Sequence, residues 1–203
     1  MTATPSLAAP ADEIARLARG EHHDPHAILG SHHAEGGTVV RAFHPDATAA
    51  ELVAPNGGTA PMESLGQGVW GGFVADLAPG QFSYRLRFTF ADGNTWDRED
   101  PYRFSPTIGD VDLHLIGEGT HERLYDVLGA HPRTHDGVDG VSFAVWAPNA
   151  RSVRIVGDFD RWDGRLLPLR SMGASGVWEL FVPGIGAGEL YKYEILGRDG
   201  TLR

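Results

Sequence analysis

The sequence contains no cysteine and no long apolar run. Without cysteine, disulfides and thiolate metal sites are excluded. No apolar stretch approaches the ~20 residues that a membrane-spanning helix needs. The start, MTATPSLAAPADE, lacks the basic residues and the apolar core of a signal peptide. We therefore expect a soluble, cytoplasmic protein.

Basic residues are also scarce. The 17 Lys and Arg residues face 27 Asp and Glu, and the formal net charge is −10. An acidic surface disfavours nucleic acid and anionic membranes as partners, whereas a neutral polymer is not repelled. The sequence also lacks a phosphate-binding glycine loop with lysine, a G-x-S-x-G motif and a basic stripe. We accordingly expect no cofactor.

Glycine and proline, in contrast, are abundant, at 27 and 13 residues, and they separate short apolar runs. This punctuation is typical of many short strands and turns rather than of long helices. A short helix is predicted over Asp12–Arg19, because Ile14 and Leu17 fall on one face, Asp12 can cap its start and Gly20 can end it. The residues before this helix are expected to be a disordered tail.

Beyond this helix, the chain resembles itself. The corresponding segments keep their order and a nearly constant offset: VRAFHPDA at 40–47 with FAVWAPNA at 143–150, GVWGGFVADL at 68–77 with GVWELFVPGI at 176–185, and FSYRLRFTFADG at 82–93 with LYKYEILGRDG at 190–200. A repeat of this length is a whole domain rather than a solenoid unit. The alternating apolar pattern within the copies favours strands.

These patterns predict an all-β protein of two tandem immunoglobulin-like β-sandwiches. The predicted division is a disordered tail and short helix at 1–20, an amino-terminal module at 21–112, a linker at 113–128, and a second module at 129–203 that is truncated at its C-terminal end. Gly117 and Gly119 are expected to break the chain within the linker. His121–Leu128 is expected to form a short helix.

The two copies end differently. After its DG turn the first copy continues with NTWDREDPYRFSP, whereas the second copy stops at DGTLR. The final strand pair of the second copy therefore lacks its continuation. This mismatch predicts that the chain is part of a larger protein.

The stretches VSFAVWAPNARSVRIVGDFDRWDGRLLPLR, SGVWELFVPG and ELYKYEI, with the earlier HHDPHAILGSH and LIGEGTHERLYDVLGAHP, resemble the amino-terminal region of bacterial 1,4-α-glucan (glycogen) branching enzymes. The resemblance covers nearly the whole chain after about residue 12. It implies two β-sandwich modules, the second similar to the family-48 carbohydrate-binding module.

In that family a catalytic (β/α)₈ barrel and a further β domain follow. The resemblance implies retaining transglycosylation that forms α-1,6 branches, with one carboxylate as nucleophile and another as acid/base. In the family both carboxylates lie on the barrel, and a barrel needs about 250 residues of alternating strand and helix. No residue of this chain is therefore expected to be catalytic, and residues 1–203 alone are expected to be inert.

The segment GDFDRWDG at 157–164 places Trp162 in a turn, where a planar ring can stack on the C–H face of a glucose unit. The resemblance implies a sugar-binding role for Trp162 and for Lys192, whose ammonium group can donate to hydroxyls. Asp163 and Arg161 flank the ring as further candidate contacts. The alternatives are a ring packed on the sandwich edge, a solvated lysine and a plain turn.

We expect different roles for the other tryptophans. Trp96, in the polar turn DGNTWDRED, is the alternative sugar contact in the first copy. Trp70 and Trp178 occupy equivalent strand positions, so we expect them to pack, and Trp146 likewise. The second tryptophan that glycogen-binding relatives carry is absent from EILGRDGTLR, and the first copy has no aromatic opposite Trp162. Binding through a single ring should be weak, towards the millimolar range.

Five histidines are close together in the early part of the chain. They are His22, His23, His26, His32 and His33. Imidazoles suit zinc, but no spacing here matches a paired-ligand signature. The resemblance explains HHDPHAILG as the entry loop of the first module, and Asp24-Pro25 fits the start of a helical turn. We expect no metal site.

The sequence thus favours an α-glucan-engaging part of a branching enzyme, with the catalytic barrel as its other partner. A structural or protein-interaction pair of modules that only braces the barrel is the main alternative. A debranching or trehalose-releasing relative with the same second module is the third. The paired modules disfavour the third reading, because those relatives usually carry one.

Overall fold

The computed structural model describes residues 6–203, so the first five residues of the predicted tail lie outside the described residues. The chain forms two compact units. The first comprises residues 6–18 together with His26–Arg103, and the second comprises Arg19–Pro25 with Phe104–Arg203. Within residues 6–203, no helix is long and apolar enough to cross a membrane.

The first unit contains helix α1 (Ala11–Ala18) and short antiparallel strands. The strands are β1 (Gly30–Ala34), β2 (Gly37–Phe43), β3 (Ala47–Val53), β4 (Thr59–Pro61), β5 (Glu63–Gly66), β6 (Val69–Ala75), β7 (Arg85–Phe90) and β8 (Thr95–Glu99). They pair in the orders β1-β2-β6-β5 and β4-β3-β7-β8. Short 3₁₀ turns lie at Pro25–Ala27 and Pro101–Arg103.

The amphipathic pattern of α1 is confirmed, because Ile14 and Leu17 are buried. The helix begins at Ala11, so Asp12 lies in the first turn rather than at the cap position. Gly20, just beyond the helix, has a left-handed φ of 66°. Ahead of the helix, Arg41 donates hydrogen bonds to the carbonyl groups of Leu7 and Ala8 at 2.8 and 3.0 Å.

Side chains from both sheets of the first unit meet in a core. Its buried members are Val40, Ala42, Ala50, Leu52, Met62, Trp70, Tyr84, Leu86 and Phe88. Strand β7 shows why these side chains form a core. Leu86 and Phe88 point inward, whereas Arg87 points outward and pairs with Asp97 on β8 at 2.6 Å. Alternation with a period of two therefore buries one face of the strand and solvates the other.

The second unit repeats this plan. It contains helix α2 (Asp110–Glu118) and strands β9 (Gly129–His135), β10 (Val138–Trp146), β11 (Ala150–Gly157), β12 (Arg170–Ser171), β13 (Val177–Pro183) and β14 (Tyr191–Gly197). Its 3₁₀ turns are Leu124–Asp126, Asp158–Asp160 and Gly173–Ser175. One sheet has the order β12-β13-β10-β9, and β11 pairs with β14.

The sheet orders show that the internal repeat is a repeat of topology. The order β9-β10-β13-β12 in the second unit matches β1-β2-β6-β5 in the first, and β11-β14 matches β3-β7. The edge strands also correspond. In the second unit Pro168 forms a β-bridge to Arg154 of β11, as β4 pairs with β3 in the first unit. Leu202 likewise bridges to Leu196 of β14, as β8 pairs with β7. The predicted pair of tandem β-sandwiches is confirmed.

Strands β10 and β13 are buried on both faces. Trp178 and Leu180 lie on the inner face of β13, whereas Val177 and Phe181 lie on the outer face, and all four are buried. The outer face is covered by the segment that leads into α2. Phe104 packs on Phe181 with ring centroids 4.8 Å apart, and Ile108 clusters with Val177 and with Leu113 and Ile116 of α2.

The segment Arg19–Pro25 packs within the second unit. Ser152 of β11 donates its hydroxyl hydrogen to the carbonyl of Gly20 at 2.7 Å. The amide of Ser171 donates to the carbonyl of His23 at 2.8 Å. Arg19–Pro25 is therefore part of the second unit, although in the sequence it lies between two segments of the first.

Three predictions from the sequence were wrong in detail: the position of the linker helix, the chain break at Gly117 and the packing of Trp146. The linker helix is α2 at Asp110–Glu118, and only a 3₁₀ turn forms within His121–Leu128. Gly117 lies inside α2, whereas Gly119 adopts a left-handed φ of 72° and ends it, as a C-terminal glycine commonly does. Trp146 was expected to pack, but it is the last residue of β10 and is 57% exposed, whereas Ala144 on the same face is buried.

Candidate functional site

The candidate site is built by the loop that leaves β11. The chain turns through Asp158–Asp160 and then places Arg161 and Trp162 in the left-handed region, with φ values of 59° and 62°. A bulky side chain rarely adopts positive φ. Such strain tends to persist where the surrounding structure enforces it. The loop thus turns Trp162 outward, and the side chain is 42% exposed.

The indole ring of Trp162 is fixed at its polar edge. Its Nε1–H donates to Asp158 Oδ1 at 2.8 Å, and its backbone N–H donates to the carbonyl of Gly157 at 2.9 Å. Both partners belong to the same short loop. The ring is therefore held in one orientation without being covered.

Asp160 organises this loop. Its side chain is 2% exposed, and its Oδ1 accepts hydrogen bonds from the amides of Gly157 at 2.8 Å and Trp162 at 3.0 Å. Sequence reasoning missed this residue. The available signal was an aspartate two residues before the tryptophan in a turn, where an Asp side chain commonly bonds the backbone two residues on.

The two flanking candidates differ in how they are held. Asp163 accepts hydrogen bonds from the Arg165 side chain, at 2.9 Å from Nε and 2.6 Å from Nη2, and from the Arg165 amide at 3.0 Å. Its carboxylate is therefore already oriented by a cation. Arg161 is exposed in its left-handed position.

Lys192 lies at the same end of the β11–β14 pair. It is opposite Val156 in the register, next to the pair Gly157 and Tyr191. Tyr191 packs on Phe143 in the core with centroids 5.0 Å apart. Because neighbouring residues of a strand point to opposite faces, Lys192 projects outward, and it is exposed.

A contact links the lysine face to the tryptophan loop. Glu194 lies two residues from Lys192 on the same face of β14 and forms an ion pair with Arg154 of β11 at 3.8 Å. A Cβ atom at Gly164 would collide with the carboxylate of Glu194. Gly164 follows Trp162 by two residues, so the structure brings Arg161, Trp162, Asp163 and Lys192 to one end of the second unit.

Trp96 is in a different setting. It lies on β8 of the first unit and is half-buried. The Arg98 guanidinium lies 4.9 Å from its ring centroid, and His44 meets the ring edge-on at 5.9 Å. An arginine over the ring reduces the open face that a sugar would need.

The early histidines are engaged in local contacts. His22 Nδ1 accepts from the amide of Asp24 at 3.1 Å, His32 Nε2 donates to the carbonyl of Leu29 at 3.0 Å, and His26 packs edge-on against Tyr102. Among residues 6–203, no group of three or more His, Asp or Glu side chains is arranged to hold a metal ion.

Two family profiles match the chain. Residues 10–102 match the N-terminal domain of the α-1,4-glucan branching enzyme GlgB, and residues 127–203 match carbohydrate-binding module 48, also described as the isoamylase N-terminal domain. The fold and these matches define the class: paired β-sandwich modules, the second a carbohydrate-binding module of family 48.

The chain belongs to the 1,4-α-glucan branching enzyme family, as its amino-terminal region. It is 51% identical over 212 residues to the 1,4-alpha-glucan branching enzyme GlgB of Rhodococcus jostii, covering 100% of this chain and 28% of that protein. It is 55% identical over 206 residues to the GlgB of Frankia casuarinae, covering 98% and 25%. The chain thus spans about a quarter of the length of these relatives.

A solved structure is also similar. A pullulanase from Paenibacillus barengoltzii, in complex with maltohexaose and alpha-cyclodextrin, is 26% identical over 43% of this chain and 14% of its own length, with a TM-score of 0.34. A score this low supports no conclusion about fold or function.

Proposed function

We propose that this chain is the non-catalytic, glucan-engaging and positioning part of a 1,4-α-glucan branching enzyme, a glycosyltransferase that forms α-1,6 branches in glycogen by retaining transglycosylation. The two profile matches and the names of the relatives support this proposal. The module retains one arm of a long α-glucan near a catalytic barrel. Such tethering raises the local concentration of the acceptor chain even when each contact is weak.

The observation that carries the proposal is the orientation of Trp162. Its ring is exposed, fixed by the hydrogen bond to Asp158, and set on a strained turn within the unit that matches a carbohydrate-binding module. A rigid aromatic face binds the apolar face of a sugar at low entropic cost, because little side-chain freedom remains to be lost.

The neighbouring side chains supply polar contacts. Lys192 donates hydrogen bonds to glucose hydroxyls near the ring, and the exposed Arg161 donates in the same way. Asp163, oriented by Arg165, accepts from a hydroxyl. Trp96 stays a predicted alternative contact in the first unit, and the arginine over its ring favours packing.

The barrel as a partner and the cytoplasm as location also stay proposals. We propose a catalytic role for none of residues 1–203, so we expect no branching by this chain alone.

The main alternative is that the modules only brace a catalytic domain. The missing second tryptophan and the lack of an aromatic opposite Trp162 in the first copy favour that alternative, because they leave few sugar contacts.

The test is native affinity electrophoresis of the 203-residue chain in gels with and without glycogen. Trp162→Ala is compared with Trp146→Ala, which removes the other largely exposed indole of the second unit. We expect glycogen to retard the parent chain and Trp146→Ala equally and to leave Trp162→Ala unretarded. Weak, roughly millimolar binding calls for gels at high polymer concentration.

The other outcomes are equally informative. If the parent chain is not retarded, glucan engagement by these modules is refuted and bracing is favoured. If Trp162→Ala is retarded like the parent, the module binds glucan elsewhere and Trp162 is a packing residue.

A further inference from the structure

A leucine lies exposed next to the loop that carries Trp162. Leu190 directly precedes β14, and its side chain is 64% exposed. Its carbonyl accepts a hydrogen bond from the Asp158 amide at 3.2 Å. A Cβ atom on Gly157 would lie 2.5 Å from the same carbonyl oxygen, so the glycine permits this close approach. The backbone of Leu190 therefore lies against the start of the loop, while its side chain faces solvent.

Asp158 connects this leucine to the indole ring. Its amide donates to Leu190, and its Oδ1 accepts from Trp162 Nε1–H at 2.8 Å. Two exposed apolar side chains thus flank one exposed carboxylate. A single exposed leucine on a protein surface is ordinary, whereas exposed apolar groups gathered at one place mark a binding surface. Leu190 belongs to the second case, because one residue joins it to the candidate sugar-binding ring.

Leu190 also shares a face with Lys192. The hydrogen bond between Asp158 and Leu190 continues the pairing of β11 and β14 one residue beyond Tyr191. Tyr191 points into the core, where its ring packs on another aromatic ring. Because neighbouring residues of an extended strand point to opposite faces, Leu190 and Lys192 both project outward, and both are exposed. An apolar group and a hydrogen-bond donor therefore lie two residues apart on one face.

Asp158 has an oxygen left for a ligand. In the described part of the chain, its carboxylate takes part in one hydrogen bond, which runs from the Trp162 ring to Oδ1. A carboxylate accepts through both of its oxygens, so Oδ2 is open to a further donor. Sugar hydroxyls are such donors, and binding sites for small molecules combine apolar contact area with a few placed polar groups. Leu190 and Asp158 supply that combination beside the ring.

We propose that Leu190 and Asp158 form a second sugar subsite, in which the leucine packs on the C–H face of the glucose unit adjoining the one stacked on Trp162. Asp158 Oδ2 accepts a hydroxyl of the same unit. The inference rests on the proposed function, because it extends the site built around Trp162. It assigns to an aliphatic side chain the apolar contact that a second tryptophan would supply, and it makes the ligand a chain of linked glucose units rather than a single glucose.

The experiment follows binding of methyl α-glucoside and of maltotriose to the ¹⁵N-labelled 203-residue chain by NMR titration, which suits affinities near the millimolar range. Leu190→Ser is compared with Leu202→Ser, which changes a half-exposed leucine that bridges to Leu196 of β14. We expect Leu190→Ser to bind maltotriose about three- to tenfold more weakly than the parent chain, because the apolar contact is lost, and to bind the single glucoside unchanged. Leu202→Ser should bind both ligands like the parent chain.

A second variant tests the carboxylate. Asp158→Asn keeps an oxygen that accepts from the Trp162 ring but puts an amide NH₂ group in place of Oδ2. We expect maltotriose binding to weaken about three- to tenfold, while the indole N–H signal that disappears in Trp162→Ala stays as rigid in relaxation measurements as in the parent chain. Glu122→Gln removes the same charge from an exposed position before the Leu124–Asp126 turn and should leave binding unchanged.

The second subsite is refuted if Leu190→Ser binds maltotriose like the parent chain. It is also refuted if this variant loses affinity for both ligands equally, since the leucine then only supports the ring, or if Asp158→Asn binds like the parent chain. Trp162→Ala separates these failures from a failure of the proposed function. Loss of both ligands in Trp162→Ala with an unaffected Leu190→Ser leaves the single-ring site standing and removes the second subsite, whereas no binding by the parent chain removes both.

Discussion

At the scale of single residues, the candidate site depends on backbone strain held by buried hydrogen bonds. Arg161 and Trp162 both occupy the left-handed region, which costs non-glycine residues roughly 1–2 kcal/mol each. Asp160 offsets this cost by accepting from two loop amides. The exposed position of the Trp162 ring therefore depends on the buried Asp160 carboxylate.

Replacing Asp160 tests whether its carboxylate stabilises the loop that carries Trp162. Asp160→Ala leaves the amide of Gly157 without the carboxylate that accepts from it and leaves the amide of Trp162 with only the Gly157 carbonyl. We therefore expect a loss of about 1–3 kcal/mol in the free energy of unfolding and weaker retention on glycogen. Asp160→Asn keeps an acceptor oxygen and should retain most of both properties. Denaturant unfolding and affinity electrophoresis of the two variants are the measurements. Equal behaviour of the alanine and asparagine variants would contradict the assigned role.

A second residue-scale prediction concerns pH. Asp100 is fully buried, and this burial raises its pKa, although hydrogen bonds from the Tyr84 hydroxyl and the Tyr102 amide oppose the rise. A carboxyl group with a raised pKa in the folded state contributes stability below its unfolded pKa, and this contribution is lost as pH rises through the folded pKa.

Comparison with Asp100→Asn isolates this contribution, because the variant cannot titrate. The free energy of unfolding should be measured for both proteins between pH 4 and pH 8, a range chosen to bracket a raised carboxyl pKa. We expect the advantage of the parent chain to shrink with rising pH. Parallel curves would exclude Asp100 as the titrating group.

At the scale of elements, the second sandwich depends on the segment that covers its outer face. Glu179 of β13 is fully buried and accepts hydrogen bonds from Arg170 of β12 and from the amide and hydroxyl of Thr107, at 3.0 and 2.8 Å. This network joins the segment entering α2 to two strands. It explains how a charged residue is accommodated on the buried outer face of β13.

Removing one partner should expose the strength of this network. Arg170→Ala leaves Glu179 buried without its cation, and we expect a loss of about 3–5 kcal/mol in the free energy of unfolding. Thr107→Ala removes one neutral donor and should cost about 1 kcal/mol. The double variant Arg170→Met with Glu179→Leu should recover much of the loss, as measured by denaturant unfolding. If Arg170→Ala costs no more than Thr107→Ala, the ion pair is not important for stability.

At the scale of the whole molecule, the sequence predicted the repeat well because strand patterns and turn residues are local signals. The corresponding segments indeed occupy equivalent strands, down to the pairs Ala42–Trp70 and Val145–Trp178. The exposure of Trp146 could not be predicted, because alternation places it on the face of Ala144 but does not say how far α2 extends over that face. The role of Asp160 was missed because it depends on the turn that it stabilises. Trp162 and Lys192 were both predicted as sugar contacts from the motif and stay predictions. Their placement at one end of the unit follows from the register of β11 and β14.

The position of Lys192 also governs how this protein can be handled. It is the only lysine in the sequence, so it carries the only side-chain primary amine. It is exposed, and it lies at the end of the β11–β14 pair from which the Trp162 loop leaves. Any amine-directed dye, biotin or sensor surface therefore reacts either at the amino terminus or within the candidate glucan site. Immobilisation through Lys192 would block the face whose binding is to be measured, whereas attachment through a cysteine added far from β14 would leave that face open.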